Sequence, residues 1–332
     1  MSAAVSIAAA ADTLRAGGLV AFPTETVYGL GADAFNERAV QEVYRLKGRP
    51  SNNPLIVHVS DVEMAKRVVR EWPREADELV RRFWPGPLTL VLPKAASVPE
   101  SVTGGGPNVA VRCPDHPLAL ELIRAFGGPI VGPSANPSGK VSPTTAAHVR
   151  ESFPDAELLV LDGGACRAGI ESTVLSLAED EPTVLRLGAI PVEELHLEDA
   201  TEGVGATFLP PEALEGEGGI APMASPGRMV SHYAPNTKAV LFDAGEWPDV
   251  LHSAGGKKVV VLTHVATRGV IDPHEVIRMP TTSEAYAARL YAAVRQADTK
   301  NPALIAIERT VGTGGLWEAI GDRLGRLTAG GG

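Results

Sequence analysis

Short apolar runs alternate with amphipathic stretches through the first part of the chain. The runs at 19–22, 55–59, 88–93, 109–112, 130–132, 158–162, 172–177 and 183–186 predict strands. Helical spacing recurs between them, at 37–47, 62–70, 76–83, 117–126 and 144–152. Strands and helices alternate without a fixed repeat, and several links are as short as hairpins. That pattern predicts a mixed, twisted α/β sheet. The apolar, Ala-rich start lacks a basic leader segment and runs into Asp12-Thr13-Leu14-Arg15, which reads as a first helix and not as a signal peptide.

The pattern breaks after His196. Residues 197–235 are rich in Gly, Pro and Glu, including Pro210-Pro211-Glu212 and Gly216-Glu217-Gly218-Gly219, and read as an acidic linker. Its end differs: 225–235 places Arg228, His232 and Tyr233 between prolines, which suits a segment that docks as a lid. From 236 to 332, close to neutral in charge, an α/β pattern restarts. Strands are expected at 239–242, 258–262 and 303–307, with helices at 283–297 (Ser283 as N-cap) and 316–328. The expected organisation is a first domain over 1–196, a linker over 197–235 and a smaller parallel-sheet domain over 236–332.

Composition narrows the function classes. A chain of 332 residues exceeds the usual single domain, and 44% hydrophobic content supplies a core for two. A net charge of −10 opposes nucleic-acid affinity over the whole surface, though not in a local basic groove. The two cysteines, Cys113 and Cys166, form no metal-ligand spacing and fit a reduced, cytosolic chain. No apolar stretch is long enough to span a bilayer.

The densest chemistry lies between Phe22 and His58. An apolar strand runs into Pro23-Thr24-Glu25-Thr26, and two cations, Lys47 and Arg49, follow between Gly48 and Pro50. Small residues, rigid prolines and fixed cations suit a polyanion such as a nucleotide triphosphate. A polar turn with a solvated basic patch would read the same way. The dinucleotide fingerprint Gly-x-Gly-x-x-Gly is absent after the first strand, and no side-chain nucleophile has local support.

Four blocks then occur in order: 23–34, 47–58, Trp84-Pro85-Gly86-Pro87-Leu88-Thr89, and Gly132-Pro133-Ser134-Ala135-Asn136-Pro137-Ser138-Gly139. Together they resemble the YrdC/Sua5 family, the threonylcarbamoyl-AMP synthases of tRNA modification. The resemblance implies a YrdC-like synthase domain on a mixed sheet plus a smaller Rossmann-like parallel α/β domain. It also implies a nucleotidyltransferase that joins ATP, L-threonine and bicarbonate into threonylcarbamoyl-AMP and pyrophosphate, for a separate tRNA threonylcarbamoyl transferase to consume.

Site residues follow from the same resemblance. Thr26, His58, Arg112, Gly132 and Ser172 are expected around threonine. Lys47 and Arg49 are expected on the phosphates as the catalytic charges, and Arg49, Asn53, Asn108, Ser134, Asn136, Ser142, Arg186 and Tyr233 around ATP. Read without the family, His58 is a satisfied core histidine and Arg112 an edge-strand arginine. Two positions depart from the family pattern: Asn108 stands where a small hydroxyl is frequent, and Gly132 where alanine is. Mg²⁺ is expected to come with ATP, with Glu25 and Asp33 as outer-shell candidates and no dedicated metal site. Two other readings remain open. One is a double-stranded RNA or tRNA-binding module with Lys47, Arg49, Arg112, Lys140 and Arg186 along a concave basic groove. The other is carbamoyl transfer of the hydrogenase-maturation kind, but the zinc-finger cysteines and acylphosphatase-like domain that go with it are missing.

Overall fold

A computed structural model describes residues 6–195, 207–208, 233–264, 272–310 and 312–329. Ten strands form the first sheet: β1 (Val20–Phe22), β2 (Gly29–Asp33), β3 (Ile56–His58), β4 (Leu88–Pro93), β5 (Asn108–Arg112), β6 (Ile130–Val131), β7 (Leu159–Val160), β8 (Thr173–Ser176), β9 (Thr183–Arg186) and β10 (Thr207–Phe208). Their spatial order is β10-β9-β8-β4-β5-β3-β6-β2-β1-β7, with parallel and antiparallel pairs mixed. The helices interleaved with them are α1 (Ile7–Arg15), α2 (Glu37–Lys47), α3 (Val62–Lys66), α4 (Arg74–Phe83), α5 (Glu100–Thr103), α6 (Pro117–Phe126) and α7 (Ala146–Ser152). A second sheet follows, built from β11 (Ala239–Phe242), β12 (Val259–Thr263), β13 (Glu275–Arg278) and β14 (Leu304–Glu308) in the order β11-β14-β12-β13, all parallel. Its helices are α8 (Trp247–Ser253), α9 (Ser283–Asp298) and α10 (Leu316–Thr328).

Local chemistry sets the elements that matter for the site. Helix α2 starts at Asn36, whose side chain accepts from the Ala39 amide. It stops at Gly48, left-handed at φ 58, which turns the chain into Arg49 and Pro50. Its buried face is Ala39, Val40, Val43, Tyr44 and Lys47, so Lys47 belongs to the apolar stripe. Strands β3 and β5, at the centre of the sheet, run parallel with His58 opposite Arg112, which brings two residues distant in sequence to neighbouring strand ends.

The structure revises several expectations. Gly29–Asp33 is a strand that the apolar pattern does not predict, and Gly29 lets the Phe22 ring lie where a Cβ would stand 2.7 Å from it. The helix expected over 62–70 ends at Lys66, since Val69 leaves to bridge Lys94. The N-cap of α9 is Thr282, one residue before Ser283. The short elements α5, α8 and β13 add to those the pattern predicts. Within the segment read as a linker, Thr207–Phe208 joins the first sheet beside β9. The remainder of that segment up to His232, and with it most of the expected lid, lies outside the described residues.

One core fills the first sheet and its helices. A second core crosses between the two sheets: Val27, Val141, Ile170 and Tyr233 pack with Tyr286, Leu290, Tyr291 and Val294 of α9 and Ile320 and Leu324 of α10. Gly169 marks a close approach of the two backbones. At φ 72, a Cβ there would meet the Ala288 Cα of α9 at 2.4 Å.

Candidate active site

A cavity of about 560 Å³, solvent at its mouth included, opens at the ends of β1, β3, β5, β6 and β9. Thr24, Thr26, Arg49, His58, Arg112, Gly132, Ser134, Glu171, Ser172, Arg186 and Tyr233 are among its lining. Nine residues expected at the site are therefore together: Thr26, Arg49, His58, Arg112, Gly132, Ser134, Ser172, Arg186 and Tyr233.

One side is built from the turn after β1 and the ends of β3 and β5. Arg112 is 3% exposed. It donates from Nη1 to Thr26 Oγ1 at 2.9 Å and from Nε to the Gly86 carbonyl at 3.2 Å. Its Nη2 lies 2.6 Å from Glu25 Oε1, an ion pair whose alignment is not that of a hydrogen bond. Thr24 Oγ1 is 2.9 Å from Thr26 Oγ1 and fixes the turn by accepting from the Val27 amide. His58 packs edge-on against Phe22. Burial, then the charge of Arg112, lowers its pKa to about 3, so the ring is neutral. Its Nδ1 has no partner among the described residues. A Cβ at Gly132 would stand 2.7 Å from that nitrogen, so only a bare backbone passes here without displacing the ring.

The other side holds Arg49, Arg186 and Tyr233. Arg49 donates to Asn53 Oδ1 at 2.5 Å and to the Pro54 carbonyl at 2.7 Å. Arg186 donates to the Ser172 carbonyl at 2.8 Å and to Ser172 Oγ at 3.0 Å, and Ser172 Oγ lies 2.8 Å from Thr89 Oγ1. Burial pulls the pKa of Arg49 down to about 10 and lowers that of Arg186, yet both remain cationic at neutral pH. Tyr233 is buried at φ 70, a left-handed conformation uncommon for a bulky residue, and stacks on Tyr291 of α9 at 5.5 Å.

Four expected residues stand behind the wall. Lys47 donates to the carbonyl oxygens of Ser134 and Asn136, and Ser138 donates its amide back to the Lys47 carbonyl. Burial, with Arg49 near, lowers the Lys47 pKa well below its usual value. Its apolar-stripe position turns it inward, so it holds the 133–139 loop and does not line the cavity as a phosphate-facing cation. Asn136 braces the same loop by donating to the Pro137 and Lys140 carbonyls. Asn53 orients Arg49, and Ser142 donates to Glu171 at 2.8 Å. Asn108 departs from expectation. It opens β5 opposite Pro93, at the end of the strand away from Arg112, and does not line the cavity.

Glu171 is a site residue that the sequence reading misses. Its only local signal is an acidic residue leading into a buried strand. Both its oxygens are taken, by Ser142, by Tyr291 of α9 and by Arg323 of α10. The cavity therefore presents three guanidinium groups, one of them paired with Glu25 behind it, and one carboxylate already neutralised from behind. Such a site binds anions and stabilises negative charge developing on them. Neither cysteine offers a nucleophile: burial pushes both thiols up to about 12. The RNA-groove reading fails on exposure, because Lys47, Arg49, Arg112 and Arg186 are all buried and of the five only Lys140 is exposed. Among the described residues, no helix is long and apolar enough to cross a membrane.

Known proteins share this arrangement. The family model described as "Telomere recombination" (Sua5, YciO and YrdC) matches residues 12–188, and the model for the C-terminal domain of threonylcarbamoyl-AMP synthase matches 192–329. A threonylcarbamoyl-AMP synthase from Pyrococcus abyssi is 42% identical over 95% of this chain and 92% of its own length. One from Bacillus subtilis is 42% identical over 98% and 93%. The crystal structure of P. abyssi Sua5 complexed with L-threonine superposes with a TM-score of 0.84 at 40% identity, covering 97% of this chain and 94% of that one. With both family models in sequence and this likeness along nearly its whole length, the chain belongs to the Sua5 branch of the Sua5/YciO/YrdC family.

Proposed function

We propose that this chain is a threonylcarbamoyl-AMP synthase, using ATP, L-threonine and bicarbonate. The observation that carries the reading is the pair of cationic poles in one cavity: Arg112 at one side, Arg49 and Arg186 at the other. The threonine ammonium gives up a proton, and the free amine combines with bicarbonate to form an N-carboxylate, releasing water. One oxygen of that carboxylate attacks the α-phosphorus of ATP. The new P–O bond forms as the bond to pyrophosphate breaks, and the electron pair leaves with pyrophosphate. Nucleophile and leaving group both belong to substrates, so the protein's work is alignment and charge neutralisation.

Arg112, steadied by Thr26 and Glu25, is assigned to the threonine carboxylate, whose fork geometry it matches. Neutral His58, Ser172 and the bare backbone of Gly132 complete that pocket. Arg49 and Arg186 are assigned to the phosphates, with Ser134 on the loop that Lys47 and Asn136 hold. Asn53 and Ser142 act through Arg49 and Glu171. Asn108 keeps only the ATP contact that family resemblance implies. Tyr233 covers the nucleotide side and excludes water from the labile carboxylate and mixed anhydride.

Magnesium is assigned to the substrate, as MgATP. Glu25 is engaged with Arg112, and Asp33 accepts from the Phe35 amide in its own turn, so neither fits the outer-shell role expected of it. Among the described residues no three metal-ligating side chains converge. The adenylate passes to a separate transferase that modifies the tRNA adenosine beside the anticodon, and that enzyme meets the tRNA in this reading.

Pyrophosphate release from ATP tests the proposal, with serine as a control substrate. Release that requires both threonine and bicarbonate is expected. Release indifferent to threonine, from protein that binds ATP, would contradict it.

A further inference from the structure

The C-terminal domain reaches the cavity wall most densely at one carboxylate. Glu171 accepts from Arg323 Nε at 2.8 Å, from the Tyr291 hydroxyl at 2.9 and 3.1 Å, and from Ser142 at 2.8 Å. Arg323 is fully buried. Its Nη2 donates to the Leu187 carbonyl at 2.8 Å, directly after Arg186, and its guanidinium lies 5.2 Å from the Tyr233 ring centre. One arginine of α10 thus touches the carboxylate lining the cavity, the strand end carrying Arg186, and the covering tyrosine.

A buried ion pair is a poor device for stability alone, since matched apolar residues do as well or better. Its geometry suggests another use. Glu171 lies within the fields of two arginines: against the upward push of burial, Arg323 and then Arg186 hold its carboxyl down to about 2. Arg323 takes the Glu171 oxygen, while Arg186 is tied instead to Ser172. Remove Arg323, and Arg186 is the cation still acting on a buried, charged Glu171.

We infer that Arg323 is a positioning residue for the nucleotide side of the cavity, acting across the domain boundary by occupying Glu171 so that Arg186 keeps its charge for an anionic ligand. The inference rests on the assignment of Arg186 to ATP phosphates made above. The C-terminal domain is then part of the nucleotide site, although among the described residues from 236 on none lines the cavity.

The test measures MgATP and L-threonine binding separately on the full chain, beside steady-state kinetics. Arg323→Met should weaken MgATP binding by about 10-fold or more and change threonine binding by less than about 2-fold. Adding Glu171→Gln removes the charge that would quench Arg186, so the double variant should return to within about 3-fold of wild type for MgATP. Equal weakness of the single and double variants, or parallel loss of both ligands, would overturn the inference. If Arg323→Met does not fold, the double variant decides alone: MgATP affinity near wild type supports the inference, and its loss with threonine binding intact contradicts it. Unfolding of the double variant as well would mark the pair as purely structural and overturn it too. Wild-type protein that binds no MgATP would defeat the synthase reading instead, before any variant is compared.

Discussion

On the side of the cavity assigned to threonine, Arg112, Thr26 and His58 come from two paired strand ends and the turn after β1. On the side assigned to the nucleotide, Glu171, Tyr233 and the strand end carrying Arg186 are held by Tyr291 and Arg323, which enter from helices of the other domain. The first side is set by strand register, which a sheet fixes firmly. The second depends on how two domains dock. One side should be pre-formed whatever the C-terminal domain does; the other should fail when the docking fails.

The largest effect should come from breaking the pre-formed side. Arg112→Ala is expected to reduce threonine-dependent pyrophosphate release by about 10²- to 10³-fold. Arg112→Lys should recover little, because lysine lacks the planar fork. Threonine titrations at saturating ATP would check both.

Next is the docking contact. Gly169→Ala places a Cβ 2.4 Å from the α9 backbone at a position with φ 72. It should destabilise the chain by about 1–3 kcal/mol and weaken MgATP binding more than threonine binding. Thermal unfolding together with the two binding measurements separates these effects.

A smaller effect concerns pH. His58 has a folded pKa of about 3 against an ordinary 6.5. Between those values the unfolded chain binds a proton that the folded chain refuses, so stability rises with pH across the window. The contribution is fully present above 6.5 and is lost as pH falls towards 3. His148, lowered to about 4 by burial and Arg295, adds to the same slope. Melting temperature should therefore drop on acidification below about pH 6.5. His58→Gln should flatten that slope, and an unchanged slope would contradict the assignment of a neutral buried ring.

Smallest of all should be Lys140→Ala. The Lys140 side chain reaches Asn236 by an exposed hydrogen bond, beside a backbone bridge to Ala234 that the substitution leaves in place. Its loss should shift stability by no more than about 0.5 kcal/mol and leave MgATP binding unchanged. A large loss there would move the coupling between domains from the buried network to the surface.

Much of this fold is legible in the amino-acid sequence. Elements with a strong period and clear punctuation, such as α2 from Asn36 to Gly48, α6 behind Pro117 and β4, fall where the pattern puts them. The strand β2 does not, because a Gly-Leu-Gly run looks like a turn until the Phe22 ring that needs those glycines is seen across from it. Lys47 and Arg323 teach the same lesson from opposite ends of the chain. Each is a cation on the apolar stripe of a helix, Lys47 with Val40, Val43 and Tyr44, Arg323 with Ala319, Ile320 and Leu327. That position predicts burial, which is why Lys47 serves the loop instead of lining the cavity. The partner of Arg323 is not readable from sequence, since Glu171 lies 152 residues away and only domain docking joins them.

The most direct measurement is calorimetric binding of MgATP and of L-threonine, each alone, to Arg112→Ala and Arg186→Ala. Two separate poles predict a crossed pattern: Arg112→Ala loses threonine and keeps MgATP, and Arg186→Ala loses MgATP and keeps threonine. Loss of the same ligand in both variants would contradict the two-pole site.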